Sequence, residues 1–341
     1  MTSEFNYADV LKAVMAGESL SRRQTHEAFG AIMEGRLTDA QIAGLLVALA
    51  VKGETVDEIA GAAQAMRDHV VPIDTGGQDV IDTCGTGGTG LSTFNISTAA
   101  ALVAAGAGAV VAKHGNRTIT RASGSANVLE ALGVNIEADS GVAARCLAEA
   151  GVCFCFAVRH HPAMKYAVPV RKALGVRTIF NLLGPLTNPA RARRQVMGVF
   201  DAALTEPIAR VLGALGAERA LVVHADDGLD ELSTASPTRV SLWEAGNVTT
   251  RTLRCEDFDI APARLDDLMI DSAEASATVV RDVLAGKQGP PRDIVVLNAA
   301  AAIYVAGQAD GIAEAIPAAA RSIDTGAARK ALDKLVEVSN G

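Results

Sequence analysis

Apolar and polar positions alternate at helical spacing through the first seventy residues. Three segments begin with a hydroxyl residue that is followed, three positions later, by Gln or Glu; they start at Ser21, Thr38 and Thr55. In such a capping box, the hydroxyl of the first residue accepts a hydrogen bond from a free backbone amide, and the Gln or Glu side chain accepts one from the amide of the first residue. One apolar stripe follows the second box: Ile42, Leu45, Leu46, Leu49 and Ala50. The pattern predicts a compact antiparallel helical unit.

Beyond a turn-rich linker at residues 72–78, the pattern changes to short apolar runs separated by helical segments. We predict strands at residues 80–84, 109–113, 152–156, 195–198 and 220–223. Such alternation indicates an α/β domain with a mainly parallel central sheet. A weaker pattern predicts a hairpin from residues 239–243 and 248–253, and from about residue 272 an Ala-rich, mostly helical tail interrupted at residues 288–291.

Composition narrows the possible partners. The chain has 341 residues, of which 49% are hydrophobic, enough for a large buried core. A net charge of −8 and 4% aromatic residues argue against nucleic-acid or membrane-surface binding, although a local basic pocket remains compatible with them. The apolar stretch at residues 99–112 is too short to cross a bilayer. Five cysteines without CxxC or Cys/His metal spacing, and no secretory leader, predict buried thiols in a reducing cytoplasm.

A glycine-rich segment, GTGGTG at residues 85–90, follows the first predicted strand and precedes a helix. Glycines allow the backbone to approach a phosphate closely, and a helix N-terminus supplies free amides. Hydroxyl and amide side chains near the helix start add further donors: Thr93, Asn95, Ser97 and Thr98. The segment matches neither GxGxxG nor GxxxxGK[ST], so it predicts neither a dinucleotide fold nor an NTPase. It indicates a diphosphate site, with a ligand-free turn as the alternative.

Charged residues follow two other predicted strands. The run KHGNR at residues 113–117 ends the second strand and leads into a hydroxyl-rich segment. Because parallel strands end at one sheet edge, we expect these cations beside the glycine loop, unless the segment is an ordinary solvated loop. The run DDGLDE at residues 226–231 offers carboxylates of the kind that bind magnesium, the alternative being a solvated acidic turn. Arg171 has planar donors suited to a carboxylate ligand.

Five runs together resemble, in order and spacing, the motifs of anthranilate phosphoribosyltransferases: GTGG…TFNIST, KHGNR, HHPAMK, VRKALGVRTIFNLLGPLTNP and GLDELS. The resemblance covers roughly residues 5–335. It implies a nucleoside phosphorylase/phosphoribosyltransferase-like fold. Residues 1–72, joined by about 163–186, would form a helical domain, and residues 73–162 and 187–341 an α/β domain that binds the phosphoribosyl donor. It also implies a homodimer through the helical domain.

The activity implied by the resemblance is transfer of the phosphoribosyl group from phosphoribosyl diphosphate to the amine of anthranilate, in tryptophan biosynthesis. The implied donor-binding residues are Gly85, Gly87, Gly88, Thr89, Thr93, Asn95, Ile96, Ser97, Thr98, Lys113, Arg117, Thr120, Arg121 and Ser125. The implied anthranilate-binding residues are Gly85, His114, Asn116, His161, Arg171 and Pro185. Two magnesium ions are expected at Ser97, Asp230 and Glu231. No residue is assigned as nucleophile or base, because positioning and leaving-group stabilisation suffice.

The chain departs from the family pattern at three places. Thr89 stands where the motif continues with Asp, which removes a carboxylate beside the expected diphosphate. Asn127 replaces a usual Asp, and Thr120 and Arg121 replace a common Ser-Ser pair. Two alternatives therefore accompany the main hypothesis. One is a related phosphoribosyltransferase or phosphorylase with another aromatic acceptor, and the other is a non-catalytic ligand-binding paralogue.

Overall fold

A computed structural model of the protein describes residues 5–117 and 124–341. Its N-terminal part is helical, as predicted. The helices are α1 (Tyr7–Met15), α2 (Arg22–Met33), α3 (Asp39–Lys52) and α4 (Val56–Asp68). All three capping boxes form; at the first, the Gln24 amide donates to Ser21 Oγ and the Ser21 amide donates to Gln24 Oε1. Helix α1 has no capping box and is capped by the side chain of Asn6.

The apolar stripe of α3 is narrower than predicted. Four of its members are buried: Ile42, Leu45, Leu46 and Leu49. Ala50 is exposed, so its assignment to the buried stripe was wrong. At about 100° per residue, position 50 lies about 80° from position 42 around the helix, at the margin of the buried face.

A seven-stranded sheet forms the centre of the molecule. Its strands are β1 (Val80–Asp82), β2 (Val110–Gly115), β3 (Val152–Phe156), β4 (Arg194–Gly198), β5 (Arg219–Ala225), β6 (Thr238–Glu244) and β7 (Asn247–Leu253). The spatial order is β3-β2-β1-β4-β5-β6-β7, and the first five are parallel. Strands β6 and β7 form the predicted antiparallel hairpin, and β6 also pairs antiparallel with β5. The mainly parallel sheet is confirmed, although β1 ends at Asp82, two residues earlier than predicted.

Eleven further α-helices lie in the described ranges. They are α5 (Ile96–Gly106), α6 (Ser125–Ala131), α7 (Ser140–Ala150), α8 (Ala157–His160), α9 (Val168–Leu174), α10 (Phe180–Leu183), α11 (Thr205–Ala214), α12 (Ala273–Leu284), α13 (Pro290–Val305), α14 (Ile312–Asp324) and α15 (Ala327–Asn340). The predicted break in the helical tail separates α12 from α13, whose first turn contains Pro290, where a missing amide costs no helical bond.

The sheet divides the apolar interior into two cores. On β5, Leu221 and Val223 point into one core while Ala220 and Val222 point into the other, because successive side chains of a strand face opposite sides. The first core lies against α5, α13 and α15. The second joins α11 and helices α1–α4 with residues of the 163–186 segment, including Val170 and Phe180. All five cysteines are free thiols, and no helix in the described part of the chain is long and apolar enough to cross a membrane.

Candidate functional site

A cavity of about 510 Å³ lies at the edge where the parallel strands end. Residues at the carboxyl ends of β1 to β5, or in the segments that follow them, line it, as expected for ligand sites of open α/β sheets. Fourteen of the predicted site residues are on its wall: Gly85, Gly87, Gly88, Asn95, Ser97, Lys113, His114, Asn116, Arg117, Ser125, Arg171, Pro185, Asp230 and Glu231. Both the donor-side and the acceptor-side predictions therefore meet in one cavity.

Other predicted site residues are not on the cavity wall. Ile96 and Thr98 are buried in the first turn of α5, because the helix turns these side chains toward the core. Thr93 forms an isolated β-bridge with Met269, and Thr89 Oγ1 accepts a hydrogen bond from the Leu91 amide. The structure does not place these four side chains on the cavity wall. Thr120 and Arg121 lie outside the described residues.

Hydrogen bonds from two other segments hold the glycine loop in place. The Thr86 amide donates to the Gly198 carbonyl at the end of β4 (2.8 Å), and the Gly87 amide donates to Asp230 Oδ2 (2.9 Å). Gly87 and Gly88 have φ values of 61° and 77°, which side-chain-bearing residues rarely adopt. A Cβ at Gly85 would lie 2.6 Å from Asp230 Oδ2. The loop and the acidic segment are thus built to fit each other, and the positive-φ turn at Gly87 and Gly88 has the backbone conformation of turns that bind anions.

Lys113 is the buried cation of the site. It is 3% exposed, and its Nζ donates to the Thr83 carbonyl (3.0 Å) and to Ser97 Oγ (3.1 Å). Burial lowers the pKa of Lys113, while nearby groups that include Asp82, Glu231 and Asp230 act to raise it. Positive charge is therefore concentrated beside the start of α5, whose N-terminus also favours anions.

The acidic run divides into residues that shape the loop and residues that face the cavity. Asp227 accepts from the Ser233 hydroxyl (2.6 Å) and the Leu229 amide (3.1 Å), so it closes the turn. Asp226 is exposed. Asp230, which is 8% exposed, and Glu231 line the cavity and offer the oxygen ligands that suit magnesium.

On the acceptor side, Arg171 lies on α9 with its guanidinium carbon 5.4 Å from the centre of the Phe180 ring. Burial lowers the pKa of Arg171. No acidic side chain pairs with it in the part of the chain described. A partly desolvated guanidinium on a cavity wall can bind a carboxylate through two parallel hydrogen bonds. Arg117, in contrast, forms a bidentate ion pair with Glu130 (2.6 and 2.7 Å).

Two histidines face each other at this end of the cavity. His114 Nε2 and His161 Nε2 are 3.2 Å apart, so one of these nitrogens donates and the other accepts. Burial lowers the pKa of both, to about 4 for His161, so both imidazoles are neutral at pH 7. His114 lines the cavity, whereas His161 lies behind it and contacts His114.

Sequence reasoning missed a buried polar pair beneath the site. Asn188 Nδ2 donates to Asp82 Oδ2 and to the Ala112 carbonyl, both at 2.7 Å, and the His114 amide donates to Asp82 Oδ1 at 3.0 Å. Asp82 is fully buried, which raises its pKa to about 6. Asp82 thus fixes the end of β2 from which Lys113 and His114 project. Asn188 lies inside one of the motif runs and Asp82 lies just before another, and this position was the only sequence signal that could have indicated the pair.

A second possible ligand set lies nearby. Ligand atoms of Asp82, Cys84 and His114 lie within 4.8 Å of one another. The set combines a thiol and an imidazole with a carboxylate whose two oxygens already accept hydrogen bonds, so it does not have the all-oxygen character that magnesium prefers.

Known proteins resemble the chain over nearly its whole length. Residues 8–70 match the helical bundle domain of a glycosyl transferase family, and residues 77–329 match the a/b domain of the same family. The anthranilate phosphoribosyltransferase of Thioalkalivibrio sulfidiphilus is 51% identical over 326 residues, or 96% of each chain. That of Moorella thermoacetica is 49% identical with the same coverage. The chain belongs to the anthranilate phosphoribosyltransferase family. The predicted family, and with it assignment to a class of glycosyl-transferring enzymes, is confirmed.

Solved structures of the family agree with the fold. The anthranilate phosphoribosyltransferase of Thermus thermophilus matches with a TM-score of 0.93 and 41% identity, covering 98% of this chain and 100% of that one. The Saccharomyces cerevisiae enzyme, in complex with PRPP and Mg, matches with a TM-score of 0.90 and 26% identity over 99% of both chains. The predicted architecture, a helical N-terminal part followed by a mainly parallel α/β part, is therefore the family fold.

Proposed function

We propose that this chain transfers the 5-phosphoribosyl group from phosphoribosyl diphosphate to the amine of anthranilate, giving N-(5-phosphoribosyl)anthranilate and diphosphate, as a step of tryptophan biosynthesis. One observation carries the proposal: a single cavity joins the glycine loop and two carboxylates at one end to Arg171 at the other. Family membership points to the same reaction. Neither a nucleic acid nor a membrane is needed as a partner.

The donor end fits a diphosphate. Backbone amides of the positive-φ glycine loop, the N-terminus of α5 and the buried Lys113 all concentrate positive potential there. Asp230, Glu231 and Ser97 are the residues that would hold two magnesium ions, because carboxylate and hydroxyl oxygens on the cavity wall suit that cation. When bound, magnesium would neutralise charge on the diphosphate as it leaves. The Mg-containing yeast structure supports the cation.

The acceptor end fits an aromatic carboxylate. Arg171 would bind the carboxylate of anthranilate, with Asn116, His114 and Pro185 beside it on the cavity wall. Held this way, the neutral amine can attack C1 of the ribose as the C1–O bond to diphosphate breaks, and the proton that the nitrogen loses on forming the C–N bond passes to water. The chain's contribution is positioning of the two substrates and stabilisation of the departing negative charge by loop amides and Lys113. No residue needs to act as a covalent nucleophile.

We also propose that the helical domain consists of residues 1–72 joined by about 163–186, with residues 73–162 and 187–341 forming the donor-binding domain. Contacts of α9 with α3 and of α10 with α4 support placing residues 163–186 with the N-terminal helices. The proposed homodimer would form through the helical domain. Its support is an apolar groove on α1 and α3 bordered by the exposed side chains of Met15 and Val51. Sedimentation of wild type and Val51→Asp tests this, because the charged variant should shift the dimer towards monomer. A wild-type protein that sediments as a monomer at micromolar concentration, like the variant, would contradict the proposal.

Substrate discrimination by Arg171 tests the proposed reaction. Wild type, Arg171→Lys and Arg171→Gln would be assayed with phosphoribosyl diphosphate and magnesium, following loss of anthranilate fluorescence. We expect the Gln variant to raise the KM for anthranilate by about 10- to 100-fold, since hydrogen bonds to a charged partner are worth about 1.5–3 kcal/mol. The KM for the donor should change little. Equal effects on both substrates, or wild-type turnover of an aromatic acceptor without a carboxylate in preference to anthranilate, would contradict the proposal.

A further inference from the structure

Arg177 links the acceptor-side segment, at about residues 163–186, to the glycine loop. It lies between α9 and α10, six residues beyond Arg171, and its Nη2 donates to the Gly88 carbonyl at 2.5 Å. Its guanidinium carbon is 4.3 Å from the centre of the Phe200 ring, which follows β4. One side chain therefore contacts the loop proposed to bind the diphosphate while its backbone belongs to the segment proposed to bind the acceptor.

The Gly88 carbonyl is a sensitive place to hold the loop. Gly88 has φ +77°, where the backbone is free to take several conformations because no Cβ restricts it. The peptide unit is planar and trans, so the amide of residue 89 points opposite to the Gly88 carbonyl. Fixing the carbonyl on Arg177 consequently fixes the direction of that amide.

Each of three consecutive loop residues is held by a different part of the protein. The Thr86 amide is bound to Gly198 of β4, the Gly87 amide to Asp230, and the Gly88 carbonyl to Arg177. The first two contacts lie within the α/β part. The third comes from the segment that carries Arg171 and Pro185. Any change in the position of that segment is therefore transmitted to the last of the three.

Arginine suits this position better than lysine would. Its flat guanidinium can lie on the Phe200 ring while one edge donates to a carbonyl, and it brings a permanent positive charge beside a cavity-lining loop. Stacking on one face also limits the competition of water for an otherwise exposed side chain. A lysine ammonium could keep the charge and one hydrogen bond, but it would lose the planar contact.

We propose that Arg177 is a positioning residue that couples acceptor binding to the geometry of the diphosphate loop. The inference rests on the proposed function, which places the diphosphate on residues 85–90 and the acceptor at Arg171. Acceptor binding orders the segment that carries Arg177, and the ordered Arg177 holds the loop in its donor-binding shape. The two ligands consequently strengthen each other's binding, and by linkage the factor is the same in both directions.

The test compares donor affinities measured by calorimetry, using magnesium phosphoribosyl diphosphate with and without benzoate, which has the acceptor's carboxylate but no amine. Wild type should bind the donor several-fold more tightly when benzoate is present. Arg177→Ala should weaken donor binding about 10-fold, the usual cost of losing a hydrogen bond to a charged group, and should bring the benzoate effect close to one. Arg177→Lys should restore part of the donor affinity, and Phe200→Leu should give an intermediate loss.

Arg210→Ala is the matched control, because Arg210 is an exposed arginine on α11 paired with Glu206, and its loss changes the net charge equally. Donor affinity in Arg177→Ala within twofold of this control, or a benzoate effect equal to that of wild type, would overturn the proposal. So would a lower melting temperature without any change in donor binding. Absence of anthranilate turnover in wild type would count against the proposed function alone, because the calorimetric comparison needs no turnover.

Discussion

Replacing Asn188 by Ala should destabilise the protein in a manner that depends on pH. Asn188 is 3% exposed and donates to the buried Asp82 carboxylate at 2.7 Å. In wild type, burial raises the pKa of Asp82 to about 6, against about 3.9 in an unfolded chain. Between these values the folded state holds more protons than the unfolded state. The contribution of Asp82 to stability is therefore fully present below about pH 4 and declines as pH rises to about 6.

The Asn188 donor limits that decline, because it lowers the pKa of Asp82. Without it, the pKa rises further, and the ionised carboxylate becomes more costly to keep folded. At pH 5 the carboxyl is mostly protonated in both proteins, so we expect a loss of about 2 kcal/mol from the missing hydrogen bonds to Asp82 and the Ala112 carbonyl. At pH 8 the charge remains with one donor fewer, and we expect a loss of about 3–5 kcal/mol.

Urea denaturation at pH 5 and pH 8, followed through the single tryptophan, Trp243, measures both differences. Comparing each variant with wild type at the same pH cancels the other titrating groups. In an Asp82→Asn background, Asn188→Ala should cost the same at both pH values, since no carboxylate remains to ionise. Equal losses at pH 5 and pH 8 in the wild-type background would refute the account of the Asp82–Asn188 pair.

Two further predictions concern packing and acid stability. Gly213→Ala should lower the free energy of unfolding by about 2–4 kcal/mol and shift the fluorescence of Trp243, because the new Cβ would overlap the indole ring. The control Gly30→Ala, which has open space in α2, should be neutral or stabilising by up to about 1 kcal/mol. An unshifted Trp243 spectrum in Gly213→Ala would contradict the overlap. In wild type, the pKa of His161 falls to about 4 on folding, so the stability that the neutral imidazole contributes above pH 6.5 is lost as the pH falls to 4. His161→Asn should therefore lose less stability than wild type between pH 6.5 and pH 4. Melting temperatures that fall equally in both proteins over this range would argue against this.

Local signals predicted most of the fold. The strand at residues 152–156 is found with those bounds, because a run of five buried apolar residues leaves little choice in a sheet covered on both faces. The capping boxes fixed three helix starts. The margin of a helical stripe was harder to place, as Ala50 shows, since a small apolar side chain is stable on either side of the boundary.

The site was predicted in part, for a physical reason. Residues that contribute a side chain to the cavity stand in compact motifs, so Lys113, Arg171 and Asp230 were found. Contacts between distant segments leave no local pattern: Asp82 meets Asn188 across 106 positions, and Arg177 meets Gly88 across 89. Spacing alone shows neither pair, because each depends on how the strands and the acceptor-side segment are arranged in space.

Donor-dependent turnover of anthranilate is the decisive measurement for the proposed reaction. Purified protein would be mixed with anthranilate, phosphoribosyl diphosphate and increasing magnesium, and fluorescence loss and product mass would be followed for wild type, Asp230→Asn and the exposed control Asp226→Asn. We expect magnesium-dependent formation of N-(5-phosphoribosyl)anthranilate by wild type and the control. For Asp230→Asn we expect a rate at limiting magnesium lower by at least about 100-fold, given its contacts with the glycine loop. Failure of wild type to form this product, or an Asp230→Asn rate equal to that of the control, would contradict the account.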